Sequence, residues 1–169
     1  MGKESLIKGP TGTIKWTRVN KELERGVLHS PKLPGDVGWD IEASETCRIK
    51  PGEAIDVPTN IAVELPAGYW GEIRARSSIA RRGLQVDAGT IDNGYRGPLY
   101  ALVRNMSMAF PPDISQVSEP WYESNIVTIN PGERIAQLVL HRINEMESVY
   151  VDELSDSERG TDGFGSTGR

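Results

Sequence analysis

The chain is poor in the residues that staple folds, hold metals or cross membranes. Its 169 residues include one cysteine, Cys47, and two histidines, His29 and His141. One thiol builds no disulfide framework, and with two histidines it assembles no zinc cluster. No histidine lies near Cys47 in sequence, which favours a small buried apolar role over a nucleophilic one. No apolar run approaches the ~20 residues of a membrane span. The N-terminus lacks the apolar stretch of an export signal, so a cytoplasmic location is expected. Met1-Gly2 opens like a myristoylation motif, but Leu6 stands where Ser or Thr is required. Positive charge is also short: 19 Lys and Arg face 24 Asp and Glu, a net charge of −5. That argues against nucleic-acid binding, which relies on neutralising many phosphates. A small phosphate-bearing ligand is still compatible, because it needs only local arginines and backbone donors.

Glycine and proline, in contrast, are plentiful, at 18 and 11 residues. They punctuate short runs rich in Val, Ile, Thr and Tyr. Strands are expected at 13–19, 37–43, 54–57, 61–64, 69–75, 84–86, 99–104, 126–129, 134–142 and 148–151. Many short strands with regular turn signals predict an all-β sandwich or barrel, a jelly roll among the options. Only 78–82 reads as a helical turn. The length fits one domain, expected over 1–154. A segment at 106–125 breaks the strand rhythm with Pro111-Pro112, Pro120 and Trp121-Tyr122, and loops of this length are often functional. The polar, Gly-rich tail 155–169 is expected to be a mobile arm. A short echo links Ile49-Lys-Pro-Gly-Glu-Ala-Ile55 to Ile129-Asn-Pro-Gly-Glu-Arg-Ile135, each a Pro-Gly turn feeding an apolar strand.

Four segments carry chemistry. Gly89-Thr90-Ile91-Asp92-Asn93-Gly94-Tyr95-Arg96-Gly97 lies between strand-like residues, and Asn93-Gly94 is a reversal signal because both tolerate positive φ. Its glycines allow a ligand to approach backbone N–H and C=O groups closely. It also sets one acid, Asp92, beside one flat ring, Tyr95. Arg76-Ser77-Ser78 follows a strand and precedes the helical turn, where serines either cap the helix or line an anion site. In the segment from Gly132 to Leu138, strict alternation puts Ile135 and Gln137 on one face. A Gln among apolar neighbours needs partners, which are backbone groups, a water or a phosphate oxygen. The tail from Arg159 through Gly163, Phe164, Gly165, Ser166 and Thr167 combines a guanidinium fork, backbone donors for phosphate and one ring able to stack on a base. No Gly-Lys-Ser/Thr ending is present, so it is not a P-loop.

Taken in order, these segments resemble the five motifs of the homotrimeric dUTPase family. Gly38-Trp39-Asp40-Ile41 resembles the first, Arg76-Ser77-Ser78 the second, and the Gly89–Gly97 string the third. Gly132–Leu138 resembles the fourth and the tail from Arg159 the fifth. The resemblance implies a distorted β jelly roll in a threefold trimer, with active sites between subunits. It implies hydrolysis of dUTP to dUMP and pyrophosphate with Mg²⁺. In family terms Asp92 is the general base on a water that attacks the α-phosphorus. Tyr95 packs under the deoxyribose, and the hairpin backbone around Gly89, Thr90, Ile91 and Leu99 reads uracil. Arg76, Ser77, Ser78 and Gln137 meet the phosphate chain or the water. Arg159, Gly163, Gly165, Ser166 and Thr167 hold the terminal phosphates, and Phe164 covers the base. A carboxylate in water is ionised at neutral pH and can accept a proton without tuning. Mg²⁺ prefers phosphates and waters to an all-protein cage, so no direct protein ligand is expected, with Asp40 in its outer sphere or structural.

Three departures stand out: Trp39 in the first motif, Asp162 where the fifth usually has Gly, and the 106–125 insertion, a candidate contact for a protein partner. Related dCTP deaminases share the fold and the serine motif. They carry a catalytic Glu on the strand after the hairpin, where this chain has Leu102, which cannot move protons. A non-enzymatic nucleotide-sensing regulator using the same pocket is the other alternative.

Overall fold

The computed structural model describes residues 12–87, 89–108, 118–158 and 160–161. Twelve strands run in chain order: β1 Lys15–Arg18, β2 Leu28–His29, β3 Gly38–Glu42, β4 Cys47–Ile49, β5 Ala54–Pro58, β6 Ile61–Glu64, β7 Tyr69–Ala75, β8 Leu84–Asp87, β9 Thr90–Ile91, β10 Tyr100–Asn105, β11 Val127–Ile129 and β12 Arg134–Arg142. Two short helices interrupt them, α1 Ser77–Ala80 and α2 Glu119–Ser124. The strands form a five-stranded sheet, β2-β3-β12-β7-β9, a three-stranded sheet, β5-β10-β8, and two ribbons, β1-β6 and β11-β4. All pairings are antiparallel. The all-β jelly-roll expectation therefore holds, and α2 is an addition inside the insertion.

One core serves all the sheets. Ile41, Ile73 and Leu138 bury the inner face of the five-stranded sheet, and Val57, Ala101 and Val103 that of the three-stranded one. Trp39, unusual for its motif, packs against this core beside Leu138. Its size fills volume and does not reach the outward face that carries Asp40. Cys47 also packs against the core, and burial, then the nearby Glu45 carboxylate, pushes its thiol pKa up. It behaves as the small apolar group expected of it.

The Pro-Gly echo is a true structural repeat. Gly52 and Gly132 take positive φ, +75° and +85°. In each turn the following Glu donates its backbone N–H to the residue three before it and accepts that residue's N–H on its carboxylate. The carboxylate distances are 2.8 Å for Lys50–Glu53 and 2.8 Å for Asn130–Glu133. The strands entering the two turns, β4 and β11, pair with one another.

Glu133 also receives Arg82 at 2.6 Å, which ties the α1 end to the fourth-motif turn. Burial raises the Glu133 pKa. Hydrogen bonds from the Asn130 backbone and from the Arg82 and Asn130 side chains outweigh it, and the net shift is downward. The folded chain thus holds this proton less tightly than the unfolded one. Its stabilisation is complete above the ordinary carboxylate range and is lost as pH falls through the lowered value. Glu133→Gln is expected to lower Tm at neutral pH, with the gap to wild type closing as pH falls towards about 3, below the ordinary Glu range.

Two expectations are corrected. Residues 148–151 form no strand; the stretch is extended and exposed, with Met146, Val149, Tyr150 and Leu154 uncovered. Val and Tyr favour strands only where a partner edge is available, and none of the described strands pairs with this stretch. Ile135 and Gln137 do not share a face either. A register shift between Arg134 and Ala136 bulges β12, so Ile135 and Ala136 are both fully buried while Gln137 turns outward. A bulge inserts one residue and breaks period-2 alternation. No helix among the described residues is long and apolar enough to cross a membrane.

Candidate active site

The outward face of the five-stranded sheet carries one functional row. His29 stands opposite Asp40, Asp40 opposite Gln137, and Gln137 opposite Arg74. Residues directly opposite in paired strands project on the same side. The Asp40 carboxylate is held by two guanidinium groups, Arg76 Nε at 2.7 Å and Arg134 Nη1 at 3.2 Å. Arg76 Nη1 also donates to the Arg134 carbonyl at 3.1 Å. Gln137 Nε2 donates to the Ala75 carbonyl at 3.2 Å. Gly38 makes room for this amide, since a Cβ there would come within 2.1 Å of Gln137 Oε1. With the loop before β3, His29, Gly38, Asp40, Arg76, Arg134 and Gln137 line a cavity of about 610 Å³.

Ser77 and Ser78 sit at the start of α1 with exposed side chains, while Ile79 points into the core. The N-cap residue is Arg76, without a side-chain capping bond, so the serines are not the caps. Gly38 and Arg134 fall inside the first and fourth motif segments, but nothing in the sequence assigned either a role of its own. Only the bulge, invisible in a string of letters, aims Arg134 at Asp40.

The hairpin lies at the other end of β7. β9 pairs Thr90 with Glu72 and Ile91 with Gly71. Gly89 takes φ +140° and packs so tightly on Ile73 that a Cβ would come within 2.7 Å of Ile73 Cβ. Its carbonyl accepts Ile73 N–H at 2.9 Å. The reversal is closed by Tyr95 N–H donating to the Asp92 carbonyl at 3.0 Å. Neither Asn93 nor Gly94 adopts positive φ, contrary to the turn chemistry expected of the pair. The connection between β9 and β10 runs over eight residues, Asp92 to Leu99, too long to need the mirror-image turn of a two-residue hairpin. The Tyr95 ring lies over Gly97, where a Cβ would sit 2.4 Å from its hydroxyl oxygen. That hydroxyl donates to the Pro98 carbonyl at 3.0 Å.

Asp92 is exposed, and among the described residues its carboxylate makes no hydrogen bond or ion pair. Leu99 differs from its expected role. Its side chain is 1% exposed, its N–H donates to Ile61 at 2.8 Å, and its carbonyl accepts the buried Thr59 hydroxyl at 2.6 Å. It forms the floor of the loop. Arg159, Asp162, Gly163, Phe164, Gly165, Ser166 and Thr167 lie outside the described residues.

One chain does not bring the two halves together. Continuing the β7–β9 register by one residue sets Asp92 level with Trp70, whereas Gln137 pairs with Arg74. Four residues along a strand and two strand spacings across put Asp92 and Gln137 on the order of 15 Å apart. The Asp92 hairpin and the Gln137 cavity are therefore separate places on one chain. Among the described residues no three His, Cys, Asp or Glu side chains gather into a metal-holding cluster.

Comparison with known proteins identifies the family. The sequence model of the dUTPase family matches residues 24–110 and 121–168, leaving out most of the middle of the insertion. A deoxyuridine 5'-triphosphate nucleotidohydrolase of Thermobifida fusca is 44% identical over 138 residues, covering 80% of this chain and 69% of that one. A mutant dUTPase of Staphylococcus bacteriophage 80alpha, solved with dUpNHpp, superposes with a TM-score of 0.78 at 31% identity over 94% of this chain and 100% of its own. A mutant dUTPase from phage phi11 of S. aureus, solved to show the coordination of a structural Mg(II) ion, gives 0.71 at 26% identity over 86% and 100%. The chain belongs to the dUTPase family.

Proposed function

We propose that this chain hydrolyses dUTP to dUMP and pyrophosphate, with Asp92 as general base on a water that attacks the α-phosphorus. The observation that carries this is the exposed Asp92 carboxylate, without a hydrogen bond or ion pair among the described residues, on a braced hairpin. Water gives up a proton to the Asp92 carboxylate, the new P–O bond forms in line with the bridging oxygen, and pyrophosphate leaves. The backbone from Gly89 to Ile91 recognises the base, and Tyr95 packs under the sugar. The arginine-lined cavity with Gln137 takes the phosphate chain, and Ser77 and Ser78 add hydroxyl donors beside it. Mg²⁺, held by phosphate oxygens and water with Asp40 in its outer sphere, would neutralise charge on the triphosphate. Because the hairpin and the cavity lie far apart within one chain, the complete site is formed between copies, and the family resemblance implies that these copies are a homotrimer. Residues 1–154 act as the β domain, with 155–169 as an arm: Arg159, Ser166 and Thr167 grip the terminal phosphates and Phe164 covers uracil.

The deaminase alternative has little support. Leu102 lies mid-strand in β10, opposite Asp56 and Asp87, and has no proton to give. The neighbouring Asp87 is engaged by Arg104 at 3.0 Å. Purified protein is expected to release pyrophosphate from dUTP and no ammonia from dCTP. Ammonia from dCTP at a comparable rate would overturn the assignment. The insertion leaves room for a protein partner near α2, where Trp121 and Tyr122 meet edge to face at 5.4 Å.

A further inference from the structure

Asn93 follows the proposed base directly. Its sequence context suggested a residue chosen for left-handed backbone, but its φ is not positive. Its use lies in its side chain. Nδ2 donates to the Pro66 carbonyl at 2.8 Å and to the Tyr69 carbonyl at 2.8 Å. A carboxamide nitrogen carries two hydrogens, and both are spent here. The accepting carbonyls belong to the tight turn between β6 and β7, itself closed by Tyr69 N–H on Pro66 at 3.2 Å. The hairpin crown is therefore tied to a second turn more than twenty residues earlier. On the outer side, Arg96 Nη1 donates to the Asn93 and Tyr95 carbonyls at 2.7 and 2.8 Å.

The Asp92 carboxylate has no side-chain partner among the described residues, so only the main chain beneath it sets its direction. That main chain is held by the Tyr95 N–H bond and by Asn93. We infer that Asn93 is a positioning residue for Asp92: its clamp on the Pro66 and Tyr69 carbonyls fixes the Asp92–Tyr95 turn and so aims the base at its water. This inference rests on Asp92 acting as the general base. The clamp touches neither the Gly89–Ile91 backbone nor the phosphate cavity, and the Tyr95 ring keeps its own hold through its hydroxyl on the Pro98 carbonyl, so loss of the clamp should appear in the chemical step far more than in nucleotide binding.

Three variants test it: Asn93→Ser, which keeps one donor on a shorter side chain; Asn93→Ala, which keeps none; and Asn93→Asp, which sets a carboxylate against two carbonyl oxygens. The expected order of kcat is wild type, then Ser, then Ala, then Asp. For Ala the fall should be on the order of tenfold to a hundredfold, the cost of a displacement near 1 Å at a reacting group. The Kd for dUpNHpp should stay within about twofold of wild type, since its contacts lie elsewhere. Unchanged kcat in all three, or a Kd that rises in step with the fall in kcat, overturns the inference. The Ser variant, the mildest change, keeps the test decisive if the Asp variant folds poorly. Failure of the wild type itself to release pyrophosphate from dUTP would instead overturn the proposed function.

Discussion

Asp92→Asn is expected to lower kcat for dUTP by about a thousandfold, within the range general-base catalysis supplies. That loss corresponds to about 4 kcal/mol of transition-state stabilisation. The substitution keeps size and planarity and removes only the ability to take a proton. Nothing in the fold depends on the charge, because the carboxylate is exposed and has no partner among the described residues. The turn beneath it is closed by main chain and braced by Asn93 and Arg96. Tm and dUpNHpp affinity should therefore stay close to wild type while pyrophosphate release collapses. A variant that keeps more than about a tenth of the wild-type rate would remove Asp92 from the base role, because loss of a working base costs at least a hundredfold. Tight analogue binding with no turnover in the wild type would favour the regulatory reading.

The elements most legible in the sequence were those whose own residues dictate them. β7 and β12 are the two longest strands, and their expected limits coincide with the observed ones. Both Pro-Gly turns follow from proline at the first central position and glycine at a positive φ. Elements made by their partners were hidden. β2 and β9 have two residues each and exist only because β3 and β7 offer edges. The reverse held for 148–151, where strand-like residues meet no strand edge among the described residues.

The site followed the same division. The residue types that can do chemistry were visible: Asp92, Gln137, Arg76 and the serines. Their supports were not. Arg134 reaches Asp40 only because β12 bulges, and Gly38 matters only because the Gln137 amide lies against it. Asn93 was read correctly as a turn residue, but for backbone freedom, when its contribution is two long-range hydrogen bonds. Leu99 drew attention by standing at the end of a recognition loop, yet Thr59, forty residues earlier in the chain, occupies its carbonyl. Sequence reveals the groups facing a ligand more readily than the groups holding them.

Mixing two inactive variants is expected to restore activity. Asp92→Asn destroys the hairpin half of the site, and a combined Arg76→Ala and Gln137→Ala variant destroys the cavity half. Each alone should be nearly inert. If every site joins the hairpin of one copy to the cavity of another, co-assembled protomers contain some sites with both halves intact. Random pairing of equal amounts gives about a quarter of the wild-type activity, as for any interface built from two different patches of the subunit. The argument depends on the spacing along β7: the residue level with Asp92 is Trp70, whereas the one paired with Gln137 is Arg74, and a regular strand holds them apart. Side-chain movement closes a few ångströms of such a gap, not a separation on the order of 15 Å. The check is pyrophosphate release after co-expression, or after joint unfolding and refolding, with each variant alone treated identically. No gain over the single variants, with mixed assemblies demonstrated by differential tagging, would mean that each chain completes its own site through a rearrangement of the hairpin.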